Sequence, residues 1–425
     1  MSAEAIKGVG GSLFRNTFFQ TILLSNVLLQ IGIWVRNFAI LMYVTDKTNE
    51  DSFAIGLMGF VEFLPIFIFS FIGGTFADRW KPRLTMIWCD FLSAISVFVV
   101  LITLHYGSWH MVYFATFVSA ILSQFSQPSA MKLFKQYIPA EQLQSAMAMF
   151  QSLIAIFMVL GPSLGVISYQ RFGIEISIAV MGVAFLLSAV VLFRIPSDRE
   201  VERTEQAADQ RFWKDLKDGF GYVYRSPVLK SLGATFALAG IAVGIAQTLG
   251  LFIVLERLGQ PKEFLQFMLM VNGVAMLVGG GVVMAVAKKV PPQKLLALGF
   301  LLSSLCMIGV GLSTSIPLTL VLQFISGLGF PMIQIGISTM ILQWTKESFI
   351  GRVNGVLTPM FMGTMVIMTL VAGQLKKVFP LVGIYCTAGL IMFAGMLLLI
   401  PLFKYKPLAS EEEGCSSELA MGSSK

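Results

Sequence analysis

Apolar stretches of about 20 residues, the length an α-helix needs to cross the hydrocarbon of a bilayer, follow one another along almost the whole chain. Two such stretches could bury each other in water, but a long succession of them leaves a soluble fold no polar surface to present. Composition agrees: 56% of the 425 residues are hydrophobic and 12% charged, with Gly, Phe and Met abundant, as in integral membrane proteins. The windows are 17–45, 52–77, 84–104, 109–131, 145–169, 173–193, 228–255, 264–287, 295–312, 316–342, 351–375 and 379–403. Their length and their lack of period-2 alternation specify helices over barrel strands. The fold class is therefore an all-α polytopic membrane protein of about twelve spans.

Residues 194–225, "RIPSDREVERTEQAADQRFWKDLKDGFGYVYR", form the longest polar segment and divide the spans into two equal sets. The domains expected are an N-terminal segment 1–16, a helix bundle 17–194, a linker 195–227, a second bundle 228–403 and an acidic, Ser-rich, disordered tail 404–425. With the amino terminus cytoplasmic, that side collects Lys7, Arg15, Arg79, Lys81, Arg83, Lys132, Lys135, Lys288, Lys289, Lys294, Lys346, Arg352, Lys404, Lys406 and the linker cluster. The other side keeps mainly Lys47, Arg171, Arg257, Lys262, Lys376 and Lys377, so the positive-inside rule puts both termini in the cytoplasm. The same bias explains a net charge of +7 without nucleic acid as a partner. The polar start runs into a span too long for a signal h-region, so the first helix reads as an uncleaved targeting signal.

Soluble-type chemistry finds little footing. Cys89, Cys306 and Cys386 lie in spans and Cys415 in the tail, without the spacing of a disulfide framework or metal cluster. His105 and His110 flank a short outer loop, where a surface role is expected. "GVGGS" at residues 8–12 lacks the Lys of a phosphate loop, and no nucleophile has a base beside it, which argues against an ATP pump, an enzyme, a metal or a cofactor.

Three local patterns carry the functional reading. The first is "GGTFADRWKPR", residues 73–83: Gly74 allows close helix approach, Asp78 at the cytoplasmic edge calls for a specific partner, and Arg79, Lys81 and Arg83 face cytosol and anionic lipid. The second is "LGPSLGVI" in the fifth span, where Pro162 removes a helical hydrogen bond and Gly161 and Gly165 permit close packing. That stretch reads either as a flexible gate or as ordinary helix packing. The third is charge deep in the spans, which is costly unless paired or hydrated. Arg36 and Glu62 lie equally far from the turn near Asn49, so antiparallel helices place them at one depth. They read either as a static ion pair or as a pair whose separation releases or captures a proton. Asp90 lies about two helical turns beyond Arg83 and is expected to contact the region of Arg79 rather than to carry protons. Neutral polar candidates for a substrate cavity are Asn26, Gln30 and Asn37 in span 1, Gln124 and Gln127 in span 4, Gln151 in span 5 and Gln247 in span 7. Asn272 in span 8, Gln323 and Gln334 in span 10 and Asn354 in span 11 complete them. The surrounding Phe and Met suit large apolar or amphipathic ligands.

The chain resembles the major facilitator superfamily. In the family's loop 2–3 signature, Gly74, Asp78, Arg79 and Arg83 match, while Lys81 replaces the second Gly and Pro82 stands where a basic residue is common. The resemblance implies two six-helix bundles rocking about a central site, with Asp78 and Arg79 as a cytoplasmic latch of the outward-open state. The fifth-span stretch is similar to a motif of proton-driven exporters, with Val166 in place of its final Gly. Finer segments, among them "MGFVEFLP", "MIWCDF", "IPAEQLQSAMAMFQS", "DLKDGFGYVYRSPVL" and "GRVNGV", resemble bacterial macrolide-efflux proteins and siderophore exporters. They imply a monomeric, proton-coupled exporter of a bulky amphipathic compound in the bacterial cytoplasmic membrane. The alternatives are transport of a siderophore, lipid or metabolite on the same fold and, more distantly, a non-transporting membrane sensor. The second-half counterpart of the latch, "GGGVVMAVAKKVPPQK", keeps Gly281, Lys288 and Lys289 but has no acid, so an asymmetric latch is expected.

Overall fold

The structure is a computed structural model that describes residues 16–196, 208–286, 290–346 and 349–404, without the side chains of residues 70–79, 140, 141, 144, 208–216 and 404. The described residues form twelve α-helices: α1 Thr17–Lys47, α2 Ser52–Arg79, α3 Pro82–His105, α4 Met111–Tyr137, α5 Ala140–Leu192, α6 Ala208–Arg225, α7 Pro227–Phe252, α8 Leu265–Val286, α9 Pro292–Leu312, α10 Ile316–Trp344, α11 Ile350–Val378 and α12 Leu381–Leu397. Starts follow local chemistry. The Asn16 side chain accepts the N–H groups of Phe18 and Phe19, and the Asp51 carboxylate accepts that of Phe53. Pro82, Pro227 and Pro292 occupy first-turn positions, where a missing N–H costs nothing.

Among the described residues, ten helical stretches are long and apolar enough to cross a membrane. Two features account for the difference from the twelve sequence windows. The helix over window 109–131, α4, is not one of the ten, because Ser119, Ser123, Gln124, Ser126, Gln127 and Ser129 make its middle polar. Windows 145–169 and 173–193 form two helical arms that follow each other without a loop, so that α5 spans both, and they meet at Gly173, with φ 74° and ψ −177°. The chain reverses there: the hydroxyls of Ser168 and Ser177 lie 2.8 Å apart, whereas nine residues of straight helix would separate them by roughly 13 Å. A positive φ is cheap only for glycine, so a single residue does the work of a loop. A further addition is α6, a helix inside the segment read as a polar linker.

The chain divides into two compact units, residues 1–205 with 262–270 and residues 206–261 with 271–425. In the first, α1 lies along α5, α3 packs on α4 and α5, and α2 packs on α4. One end of its core holds Phe18, Phe19, Ile22, Leu133 and Phe134; the other holds Ile40, Val44, Val97, Val100, Val112 and Met181. In the second unit, α7 lies along α11, α9 packs on α10 and α12, and α6 packs on α11. The π-turn Ile253–Arg257 extends α7, and Arg257 donates 2.6 Å to the Leu312 carbonyl at the end of α9. A cation there satisfies an orphan carbonyl and complements the helix dipole.

Candidate functional site

α1 and α2 are joined by the four-residue turn 48–51 and run back past each other, which brings Arg36 and Glu62 together. Arg36 Nη2 lies 3.7 Å from Glu62 Oε1, with the Arg36 side chain 5% and the Glu62 side chain 18% exposed. The tighter link runs through Asn37. Arg36 Nε donates to Asn37 Oδ1 at 2.8 Å, and Asn37 Nδ2 donates to Glu62 Oε1 at 2.8 Å. An amide can accept at one end and donate at the other, so it relays the Arg36 charge to the carboxylate. Asn37, read from sequence as a free cavity amide, has both ends engaged. Glu62 is the group with residual access, and its Oε1 receives both contacts.

Asp90 is 4% exposed and sits in a second polar cluster. Ser188 Oγ donates to Asp90 Oδ2 at 2.6 Å and lies 2.8 Å from Ser25 Oγ, tying α3, α1 and the second arm of α5. Within an apolar bundle this arrangement satisfies groups that water cannot reach. Ser188→Ala is expected to cost the first unit roughly 1–2 kcal/mol, read as a lower midpoint of thermal unfolding in detergent. An unchanged midpoint would mean that another group satisfies the carboxylate.

The side chains of Gly74, Asp78 and Arg79 lie outside the described residues. Arg83, in the same stretch, donates 3.0 Å to the Phe193 carbonyl just past α5, with its guanidinium 6.0 Å from the Phe193 ring centre. In the fifth-span stretch, Pro162 is buried and both glycines face α1. A Cβ on Gly161 would fall 2.2 Å from the Trp34 ring, and one on Gly165 would fall 2.5 Å from Phe38 Cβ and 2.6 Å from the Trp34 carbonyl oxygen. These glycines permit direct contact of two helix backbones.

The other polar candidates do not converge on one described cluster. Asn26 and Gln30 are half-buried in α1, and the amide oxygen of Asn26 has no hydrogen-bond partner. Gln124 donates to the neighbouring Ser123 hydroxyl, and Asn272 donates 3.1 Å to the Gln323 carbonyl, joining α8 to α10. Gln127, Gln151, Gln247, Gln334 and Asn354 are exposed.

Sequence reasoning missed one charged cluster in each unit. In the first, Lys262 pairs with Asp46, donates 3.2 Å to the Met42 carbonyl and stands 5.3 Å over the Tyr169 ring, whose hydroxyl donates 2.7 Å to Asp46. In the second, Lys376 pairs with Glu256 and stands 4.6 Å over Phe252. Sequence treated both lysines only as topology markers. The one available signal was an acid at the end of a span, Asp46 or Glu256.

The sequence model described as Major Facilitator Superfamily matches residues 22–309 and 249–416. Among curated proteins, the uncharacterized MFS-type transporter YkuC of Bacillus subtilis (strain 168) is 24% identical over 376 residues, 87% of each chain. YfiS of the same organism, also an uncharacterized MFS-type transporter, is 23% identical over 354 residues, 81% of this chain and 83% of that one. The crystal structure of the nucleoside transporter NupG matches with a TM-score of 0.73 at 12% identity, covering 92% of this chain and 100% of the other. That of a POT family transporter in complex with 5-aminolevulinic acid matches with a TM-score of 0.72 at 13% identity, covering 94% and 97%. At such identities the shared property is the fold.

Proposed function

The chain belongs to the Major Facilitator Superfamily, and from that premise we propose that this multi-pass transporter exports a bulky amphipathic compound in exchange for protons. It is not an enzyme. In this reading it crosses the bacterial cytoplasmic membrane with twelve spans in two six-helix units, both termini are cytoplasmic, and it works by alternating access as a monomer. Asp78 and Arg79 act as the cytoplasmic latch, and Glu62 carries the proton.

The observation that supports Glu62 is its linkage to Arg36, directly and through Asn37, in an otherwise apolar setting. A proton arriving on Glu62 removes the charge that holds Arg36 and turns an acceptor oxygen toward Asn37 into a possible donor. The relay then has to break or reorganise, and this gives protonation a structural consequence in the two helices that bear it. Loss of the proton restores the bridge. Neutral amides and abundant Phe and Met supply an adaptable lining for an apolar ligand.

The test uses purified protein in proteoliposomes with an imposed pH gradient and a lipophilic fluorescent cation. Native protein is expected to move the cation in a gradient-dependent way, and Glu62→Gln to abolish that dependence. Movement that survives the substitution would make Glu62 a structural partner of Arg36. Absence of movement in native protein would direct the search to siderophores, lipids and metabolites.

A further inference from the structure

α6 is gripped on one face and open on the other. On the gripped face, a Cβ on Gly219 would lie 2.8 Å from the Arg352 carbonyl oxygen in the first turn of α11. Tyr222 stacks on Phe349 with ring centres 4.6 Å apart at 16°, and its hydroxyl accepts the Lys346 N–H at 3.2 Å. The Arg352 guanidinium stands 4.8 Å from the Phe349 ring centre. Val223, one turn from Gly219, is buried beside them.

Helical spacing places Phe220, Tyr224 and Lys217 together on the other side. Phe220 is 54% and Tyr224 72% exposed. Lys217 and Arg225 are exposed, and Lys230 at the start of α7 stands 4.5 Å over the Tyr224 ring. The chain therefore offers two adjacent aromatic rings ringed by cations. Only Ser226 separates the end of α6 from the start of α7, one of the helices long and apolar enough to cross a membrane. This end of α6 consequently lies at the level where hydrocarbon gives way to headgroups.

We propose that the Phe220–Tyr224 face of α6 is a docking surface for the headgroup layer of the adjacent leaflet, selective for anionic phospholipid. Rings with one apolar body and one polar edge, and lysines with apolar stems, are the side chains that settle at that depth. Cations beside them match anionic headgroups. Because the opposite face grips the first turn of α11, the same helix connects leaflet composition to a membrane-crossing element. The proposal rests on the membrane fold and is independent of substrate and proton coupling.

The test places a single environment-sensitive fluorophore at Phe220→Cys or Tyr224→Cys in protein carrying Cys386→Ser and Cys415→Ser, checked for monodispersity before reconstitution. The vesicles are phosphatidylcholine alone or an equal mixture with phosphatidylglycerol, each with headgroup or mid-chain nitroxide lipid. Headgroup nitroxide is expected to quench both labels at least about twofold more than aqueous iodide does, and more strongly in the mixed vesicles. Adding Lys217→Gln and Lys230→Gln is expected to remove the preference for phosphatidylglycerol. Quenching by iodide alone would put the face in water, and quenching by neither would put protein over it; either result overturns the proposal. Since the labels replace the rings themselves, amide hydrogen exchange of residues 217–225 in the native chain serves as a second measurement. Exchange is expected to slow several-fold in the mixed vesicles, and equal rates in the two lipids would also overturn the assignment.

Discussion

Arg36→Met is expected to cost the first unit about 3 kcal/mol, toward the low end for breaking a buried ion pair because Glu62 retains some exposure. The loss comes less from the missing attraction than from the carboxylate left behind. Removal of the guanidinium takes away the direct contact and the Nε–H bond to Asn37, so the amide is no longer held in position to donate to Glu62. The double variant Arg36→Met with Glu62→Gln should regain most of that stability, since a Gln leaves no bare charge and can still bond Asn37. Unfolding midpoints in a single detergent, compared across native, single and double variants, give the coupling directly. Additive losses would show that the two side chains do not depend on each other, and would remove the basis for a relay.

Gly165→Leu should be at least as damaging, at about 3 kcal/mol or more. The first added carbon would meet Phe38 Cβ at 2.5 Å and the Trp34 carbonyl oxygen at 2.6 Å. A side chain can turn away, but a backbone oxygen moves only if the helix moves, so α1 would have to separate from α5. Gly161→Ala first meets the Trp34 ring, a side chain with more freedom to shift than a backbone. The series separates the two readings of this stretch. If the glycines serve packing, stability and transport fall together, with Gly165 the more sensitive position. If they serve flexing, transport would fall further than stability does, with turnover lost at Gly161→Ala while its unfolding midpoint is nearly kept.

Spacing alone carried part of this far. Equal distances from Asn49 place Arg36 and Glu62 at one depth whenever two helices run antiparallel, so their proximity in the structure needed only a turn between them. The hydrophobic pattern likewise located the helices, because a chain in hydrocarbon has few other ways to satisfy its backbone. Rotation about each helix axis was not legible. It decides that Asn37 bridges while Gln30 does not, and that Asp90 finds Ser188 and Ser25, residues remote in sequence. The Lys262–Asp46 pair depends on tertiary placement in the same way. α6 was hidden for a different reason: a polar, charged sequence is compatible with both a linker and a surface helix, and its docking partners, Phe349 and Arg352, come more than a hundred residues later.

The reversal at Gly173 also limits where this chain can be handled. An epitope or protease site inserted there would have to be accommodated inside one of two abutting helices, whose hydroxyls at Ser168 and Ser177 already touch. Reporters of sidedness therefore belong in the turns at 48–51 and 106–110, where the backbone is already outside a helix. Between the two arms of α5 there is no slack for an engineer, or for natural insertion, to use.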